Sequence, residues 1–144
     1  MNPLSFCIHL DVRAGDLNYG NHVSHHNYFL YFQEARIAYL GQLGYTEMDI
    51  EGLGMVIAEA GCRYKHELLL GDKLGVCCGI SEIKAKAFIF EYAIIRGETL
   101  CATGSTTCLC LDRTLGKVVP LPPAFTAAVQ AFEAKRRGVS SDQG

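Results

Sequence analysis

Residues 16–40 read DLNYGNHVSHHN and then YFLYFQEARIAYL, so a polar, turn-forming half runs directly into an apolar half. Apolar side chains in the second half recur at spacings of three and four residues, and others fill most of the remaining circumference. The pattern predicts a helix over about residues 24–43 that is buried nearly all round. Ser24 or Asn21 is expected to cap it, which would direct its free backbone N–H groups at the polar half.

That junction suggests chemistry. A helix N-terminus favours developing negative charge. A loop of Asp, Asn and His side chains beside such an end is suited to polarising a carbonyl group and holding a water molecule next to it.

The rest of the chain alternates apolar and polar side chains as half-buried strands do. The predicted strands cover residues 4–13, 55–66, 74–80, 88–95 and 99–111. Regular turn spacing between the last four predicts an antiparallel meander, and residues 125–137 predict a short C-terminal helix. Because only the sheet could cover an apolar helix, we expect an α+β hotdog fold, with about five strands wrapped around one long central helix.

Length and composition set further bounds. The 144 residues predict one domain over residues 1–138 and a disordered tail at 139–144. A net charge of -2 excludes the electrostatic footprint of a nucleic-acid-binding protein. No stretch has the length of a membrane span, and the first residues lack a signal-peptide pattern, so a cytoplasmic location is expected. The seven cysteines are then expected to be reduced core thiols, with no structural metal.

The segment also resembles the signature of the hotdog-fold acyl-CoA thioesterases of the 4-hydroxybenzoyl-CoA thioesterase type. In that family, Asp-x-Asp-x-x-Gly-His-Val-Asn-Asn-x-x-Tyr leads into a helix with a Glu-Ala-Arg ending. The positions that match in register are Asp16, His22, Val23, Tyr28, Glu34, Ala35 and Arg36. Two positions depart: Asn18 stands where the family's catalytic carboxylate usually lies, and Asn21 replaces a Gly. The resemblance covers roughly residues 5–125.

The resemblance implies an acyl-CoA or acyl-carrier thioesterase that assembles as a homodimer or homotetramer. It implies no cofactor beyond coenzyme A as part of the substrate. A thioesterase needs a group that activates water or attacks the thioester carbon, and donors for the oxyanion. We expect Asn18 to hold water or donate to the thioester oxygen, with Asp16 or Glu59 as the base and His22 beside them.

Each of these candidates has a simpler alternative. Asp16 and Asn18 could merely form Asx turns in a loop. Glu59 could pair with Arg63 or Lys65 instead of bordering a cleft at a subunit interface. The histidines near His22 could be hydrogen-bonded or solvated, or could ligate a metal ion.

The remaining candidates surround the thioester and the coenzyme. The resemblance places the N–H that polarises the thioester carbonyl near His25, next to Ser24. Tyr19 and Tyr28 are candidate substrate-binding residues. Lys84 and Lys86 flank a turn and could meet the phosphates of coenzyme A, or could simply be solvated.

Two other functions stay open. Asp16, Asn18 and His22 loosely resemble the Asp-x-Asn-Pro-x-His run of hotdog enoyl-CoA hydratases, although the proline is missing. A non-catalytic acyl-CoA binding module is favoured by Asn18, because an amide cannot take a proton at neutral pH. The sequence contains no phosphate-binding Gly-rich loop and no Gly-x-Ser-x-Gly elbow, which disfavours nucleotide-binding proteins and serine hydrolases of the α/β type.

Overall fold

The computed structural model describes residue 4 and residues 6–137. Its described elements are β1 (Phe6–Asp11), a 3-10 turn (Ala14–Asp16), α1 (His25–Gln42), β2 (Gly54–Tyr64), β3 (Lys73–Ile83), β4 (Phe88–Arg96), β5 (Thr99–Asp112), β6 (Lys117–Val119) and α2 (Pro123–Arg136). The strands form one six-stranded antiparallel sheet against which α1 packs. The predicted α+β hotdog fold is confirmed. The predicted tail at 139–144 lies outside the described residues.

The strand order corrects the predicted meander. Along the sheet the strands run β1-β3-β4-β5-β2, with β6 beside β5. The hairpin succession holds for β3, β4 and β5, but β2 lies at the far edge and pairs with β5. Residues 65–72 therefore connect strands that are not neighbours. Turn spacing in a sequence shows where the chain reverses, but not which strand it returns to.

The core lies between α1 and the sheet. Tyr31, Phe32 and Leu40 are completely buried, as the prediction of a covered helix requires. Phe32 stacks on Tyr92 of β4 with ring centroids 4.5 Å apart. It also lies so close to Gly104 of β5 that a Cβ there would be 2.4 Å from the Phe32 ring. The missing side chain at Gly104 thus lets the helix approach the sheet.

The opposite side of α1 is not buried, so the prediction of a helix covered all round is wrong there. Leu30 is 46% exposed and Ile37 is 48% exposed. A single layer of sheet covers only the side of a helix that faces it.

A buried polar network ties α1 to its surroundings. The Arg36 guanidinium donates from Nε to Glu47 Oε2 at 2.6 Å and from Nη1 to the Tyr92 hydroxyl at 2.9 Å. The Tyr92 hydroxyl is 2.7 Å from Thr106 Oγ1. Because these groups satisfy one another, a buried arginine is tolerated in the core.

A bulge in β2 changes which of its side chains face the helix. The pairing with β5 shifts between Ile57 and Glu59. Before the bulge, Ile57 lies opposite the buried Cys108, whereas after it Ala60 lies opposite the buried Thr106. Simple alternation along residues 55–66 therefore does not hold through the whole strand, because a bulge inserts one residue.

The C-terminal helix α2 covers the part of β3 that β1 leaves unpaired. The pairing of β1 ends at Cys78 of β3. Beyond that point, Glu133 of α2 accepts a hydrogen bond from the Ile80 N–H at 3.0 Å and another from the Tyr39 hydroxyl. The predicted C-terminal helix is confirmed, and it shields an open strand edge.

The cysteines divide into two groups. Cys7 and Cys77 lie directly opposite each other on β1 and β3 and form a disulfide, so the prediction of seven reduced thiols is wrong for this pair. Periodicity within each strand could not reveal that these two positions share a register. The other five are free thiols: Cys62, Cys78, Cys101, Cys108 and Cys110.

Among the described residues, no helix is long and apolar enough to cross a membrane.

Candidate active site

A small hairpin precedes α1 and carries most of the predicted polar residues. Leu17 bridges Val23, and the Asn18 N–H donates to the His22 carbonyl at 2.9 Å. Asn21 has a positive φ of 65°, a conformation that asparagine tolerates better than most residues. The Asn18 side chain forms an Asx turn, because its Oδ1 accepts the Gly20 N–H at 2.8 Å. The Asx-turn alternative is therefore correct for Asn18. Asn18 also lines a cleft.

Asp16 lies below this hairpin in a buried polar cluster. Its carboxylate accepts the Tyr31 hydroxyl at 2.7 Å, the Asn27 side-chain amide at 3.1 Å and the Arg13 backbone N–H at 3.0 Å. Burial raises the pKa of Asp16, but donation from Tyr31 and Arg13 outweighs it and leaves the pKa below its ordinary value. A carboxylate with this many donors is a poor base, and Asp16 does not line the cleft. Its contacts favour a role in holding the loop.

His22 faces the segment that follows β2. Its Nδ1 lies 3.1 Å from Glu67 Oε2, and the His22 backbone forms an isolated bridge with Leu69. The neighbouring Val23 N–H donates to the Leu68 carbonyl at 2.9 Å. Backbone pairing thus holds residues 67–69 against the hairpin and brings a carboxylate to the histidine.

Helix α1 begins at this point. Ser24 is its N-cap residue, with φ -73° and ψ 154°, and His25 is the first helical residue. The Ser24 hydroxyl donates to Asn27 Oδ1 at 2.9 Å, so it is engaged within the cap. The His25 N–H has no backbone acceptor among the described residues. Of the two predicted residues, Ser24 and Asn21, Ser24 therefore occupies the N-cap position, but its side chain accepts no hydrogen bond from a helix N–H. A helix N–H remains available beside the hairpin.

Aromatic rings form one wall of the site. Tyr64, at the end of β2, contacts the Tyr28 ring edge-on at 4.7 Å and the His25 ring edge-on at 5.1 Å. Tyr28 is buried, which raises its pKa to about 12 and keeps its hydroxyl protonated at neutral pH. This wall gives the cleft an apolar side with a hydroxyl donor.

These groups enclose a cleft of about 270 Å³. Its lining residues are Asn18, His22, Val23, His25, Tyr28, Tyr64, Lys65, His66 and Glu67. Four of the predicted site residues thus meet here. The cleft combines a histidine with a carboxylate partner, a side-chain amide and the start of a helix.

Other predicted residues lie elsewhere. Tyr19 is fully exposed at the tip of the hairpin. Glu59 points away from α1, and no ion pair with Arg63 or Lys65 forms in the described part of the chain. Glu59 precedes the cleft residue Tyr64 by five residues, which places it about 16 Å from the cleft along β2.

Lys84 and Lys86 also lie far from the cleft. They belong to the turn between β3 and β4, where Lys84 Nζ lies 3.9 Å from Glu82 Oε2. The cleft adjoins the other end of β4, since Tyr64 pairs with Ala102 and Ala102 with Ile94. Along β4, that end lies about 20 Å from the turn that carries Lys84 and Lys86.

The sequence interpretation missed the residues contributed by the end of β2 and the segment after it. Tyr64, Lys65 and His66 were treated as strand residues, and Glu67 was not considered. Their polar composition next to a predicted turn was the available signal, but only the sheet topology brings them to the hairpin. Within residues 6–137, no group of three or more His, Cys, Asp or Glu side chains is arranged to hold a metal ion.

Comparisons with known proteins show what the chain is similar to. A family model described as the thioesterase-like superfamily matches residues 12–129. A protein of Aquifex aeolicus (strain VF5) with the provisional name of esterase is 34% identical over 102 residues, covering 69% of this chain and 78% of that protein. The acyl-CoA thioesterase YbgC of Haemophilus influenzae is 29% identical over 133 residues, covering 90% of this chain and 93% of YbgC.

A solved structure has the same fold. The BH1999 gentisyl-coenzyme A thioesterase superposes with a TM-score of 0.75 at 27% identity, covering 86% of this chain and 98% of that one. Together with the family match, these similarities confirm the resemblance drawn from residues 16–36 and the thioester hydrolase activity expected from it.

Proposed function

The chain belongs to the thioesterase-like superfamily, and we propose that it hydrolyses acyl-CoA thioesters in the cleft between the 17–23 hairpin and residues 64–67. One observation carries this proposal: the start of α1 and the His22–Glu67 pair border the same cleft. Hydrolysis of a thioester needs both a donor for the oxyanion and a base for the attacking water. The names of YbgC and the gentisyl-coenzyme A thioesterase support a coenzyme A thioester as the substrate.

We assign the roles as follows. The His25 N–H donates to the thioester oxygen, in line with the dipole of the helix that Ser24 caps. Asn18 uses its free NH₂ group to hold the attacking water, and His22 accepts the proton from that water. Tyr28 contacts the acyl group. Asp16 supports the loop from below rather than taking part in proton transfer.

The remaining predicted residues fit a second subunit. Glu59, Lys84 and Lys86 are too far from the cleft of their own chain, and Tyr19 points into solvent. We propose that they complete the site of a neighbouring subunit, the two lysines by meeting the phosphates of coenzyme A. Hydrolysis of a thioester uses water alone, so the proposal requires no cofactor.

A homodimer is the proposed assembly. Strand β2 lies at the edge of the sheet and much of it is exposed. Its exposed stretch contains small residues such as Ala58, Ala60 and Gly61. An open edge of this kind is a template for pairing with another strand, and a second copy would extend the sheet. Dilution that dissociates the dimer should then reduce specific activity, whereas full activity in a demonstrated monomer would contradict this assembly.

We retain the cytoplasm as the proposed location. Five free thiols, four of them buried, are typical of a reducing compartment. The Cys7–Cys77 pair is the exception. Thiol titration of protein isolated under acid quench would show whether that pair is oxidised in the cell.

The function is tested by a hydrolysis screen over short-chain, long-chain and aromatic acyl-CoAs, run beside the Asn18→Asp variant. We expect the wild type to release free coenzyme A from at least one class. If no substrate is hydrolysed but an acyl-CoA raises the melting temperature, the chain is a binding module. Recovery of hydrolysis only in Asn18→Asp would support the same conclusion, because that change restores a carboxylate beside the carbonyl.

A further inference from the structure

The cleft contains one carboxylate among its lining residues, and it is Glu67. Glu67 lies at the rim with a side chain 68% exposed, and its Oε2 is 3.1 Å from His22 Nδ1. Asn18 cannot accept a proton at neutral pH, and Asp16 is occupied by its donors. The cleft therefore offers His22 as a base and Glu67 as the group that contacts it.

The other ring nitrogen of His22 faces the hairpin. An alanine Cβ at Gly20 would lie 2.5 Å from His22 Nε2 and 3.3 Å from Asn18 Oδ1. Nε2 and the Asn18 side chain therefore lie on the same side of the hairpin, with the bare α-carbon of Gly20 beside them. A side chain at Gly20 would therefore press against Nε2.

We propose that Glu67 positions His22 as the general base for hydrolysis, an inference that rests on the proposed thioesterase function. The carboxylate 3.1 Å from Nδ1 favours the ring tautomer with its proton on Nδ1. Nε2 then carries the lone pair on the side of the ring where Asn18 would hold the attacking water. This is how a carboxylate supports a histidine base without itself receiving the proton.

The proton and electron balance of the step is simple. Nε2 accepts a proton from water while the water oxygen forms a bond to the thioester carbonyl carbon. The carbonyl oxygen becomes an oxyanion that accepts the His25 N–H. Collapse of this intermediate breaks the C–S bond, and the leaving thiolate takes the proton from the imidazolium. The products are a carboxylate, a free thiol and one released proton.

Several other titratable groups share the cleft with His22. They are His25 and Tyr28 on α1, Tyr64 at the end of β2, and Lys65 and His66 in the segment that carries Glu67. A pH profile of the wild type alone would therefore not identify the base. The assignment requires that a feature of the profile disappear with His22.

The first test is a double-mutant cycle with His22→Ala and Glu67→Gln. We expect His22→Ala to lower kcat by about 10²- to 10⁴-fold, as loss of a general base does. Glu67→Gln should lower kcat by about 10- to 100-fold, the range seen when carboxylates that orient metal-bound histidines are removed, with KM little changed. The double variant should match His22→Ala alone. Equal losses from Glu67→Gln in both backgrounds would overturn the proposal.

Asp72→Asn is the matched control for a merely structural effect. Asp72 belongs to the same segment, accepts the Leu69 N–H at 2.9 Å and pairs with Arg96 at 3.0 Å, but does not contact His22. It should lower thermal stability more than Glu67→Gln does, while the acidic limb of its kcat profile persists. That limb should vanish in His22→Ala, and a limb that survives there would contradict the role of His22.

A second pair of variants tests the position of Nε2. Gly20→Ala places a methyl group against Nε2, whereas a Cβ at Gly15 would meet nothing within 4 Å. We expect Gly20→Ala to lower kcat by at least tenfold and Gly15→Ala to leave it unchanged. Equal activity of both variants would contradict this geometry.

A readout that does not depend on activity completes the design. The nitrogen NMR shifts of the His22 ring should report the Nδ1-protonated tautomer in the wild type and a mixture of tautomers in Glu67→Gln. Identical shifts would overturn the proposal. If the wild type hydrolyses acyl-CoAs but Glu67→Gln matches it, this inference fails and the proposed function stands; if the wild type hydrolyses none, both fail.

Discussion

Asp16 and Glu67 are both carboxylates that contact the segment leading into α1, and they differ in almost every other respect. Asp16 is 7% exposed and receives hydrogen bonds from three neighbouring residues. The Glu67 carboxylate is largely exposed, with His22 as its charge partner. A carboxylate surrounded by donors stabilises a loop. A carboxylate that contacts one ring nitrogen of a histidine leaves the other ring nitrogen able to accept a proton. We therefore predict that Asp16 has a structural role, although it belongs to the family-like motif.

Among the variants that follow, the largest effect should come from the helix N-terminus beside the cleft. Compared with His25→Ala, His25→Pro additionally removes the backbone N–H, which no described group accepts, and the first helical position tolerates proline. The extended Ser24 before it already has the conformation that a following proline requires. Its kcat should fall about 10²- to 10³-fold below that of His25→Ala, which keeps the N–H. Equal kcat values for the two variants would exclude the His25 N–H as the oxyanion donor.

In the buried Asp16 cluster, Asp16→Ala should mainly reduce the stability of the fold. The change leaves the buried donors of Tyr31 and Asn27 without an acceptor, which costs about 3 kcal/mol. Urea unfolding measures the loss, and Asp11→Ala is the control because its carboxylate is exposed and pairs only loosely with Lys73. A fully stable Asp16→Ala protein without turnover would instead make Asp16 the catalytic carboxylate.

Loss of a single donor to Asp16 should destabilise the fold less than loss of the Asp16 carboxylate. Tyr31→Phe removes the hydroxyl that lies 2.7 Å from Asp16 Oδ2 and should destabilise the fold by about 1.5 to 3 kcal/mol, at the lower end if Asn27 and Arg13 compensate. Tyr19→Phe, at a fully exposed position, should leave the melting temperature unchanged. If the two variants melted together, the Asp16 cluster would contribute little to stability.

The smallest effect concerns pH. The pKa of Asp16 is lowered in the folded protein, so the stability that it contributes is present above its unfolded pKa and is lost as pH falls through the folded value. Unfolding free energy should therefore decline below about pH 4 in the wild type. Asp16→Asn should show a shallower decline. Identical slopes for the two proteins would mean that the folded environment does not hold Asp16 ionised.

Much of the fold could be predicted from local patterns. The helical spacing from Tyr28 to Tyr39 and the alternation of the strands depend on neighbours within a few residues, and both appear where expected. The predicted burial of Leu30 and Ile37 and the predicted place of β2 in the sheet were wrong, and the bulge after Ile57 was missed. Each of these depends on which distant segment packs against the element.

The candidate site divides in the same way. By itself, the sequence determined that an amide stands at Asn18, that α1 begins close to Ser24 or Asn21, and that a histidine lies between Asn18 and Ser24, because helix starts and turns are set by adjacent residues. Only the tertiary structure decided that Asp16 is enclosed by donors and that Glu67 reaches His22. The Asp16 contacts depend on how the loop folds back onto the first turns of α1. The Glu67 contact follows instead from long-range backbone pairing, because β2 lies at the far edge of the sheet and the segment after it returns to the hairpin. Local residue patterns do not encode such a return, since it depends on the packing of the whole sheet around α1.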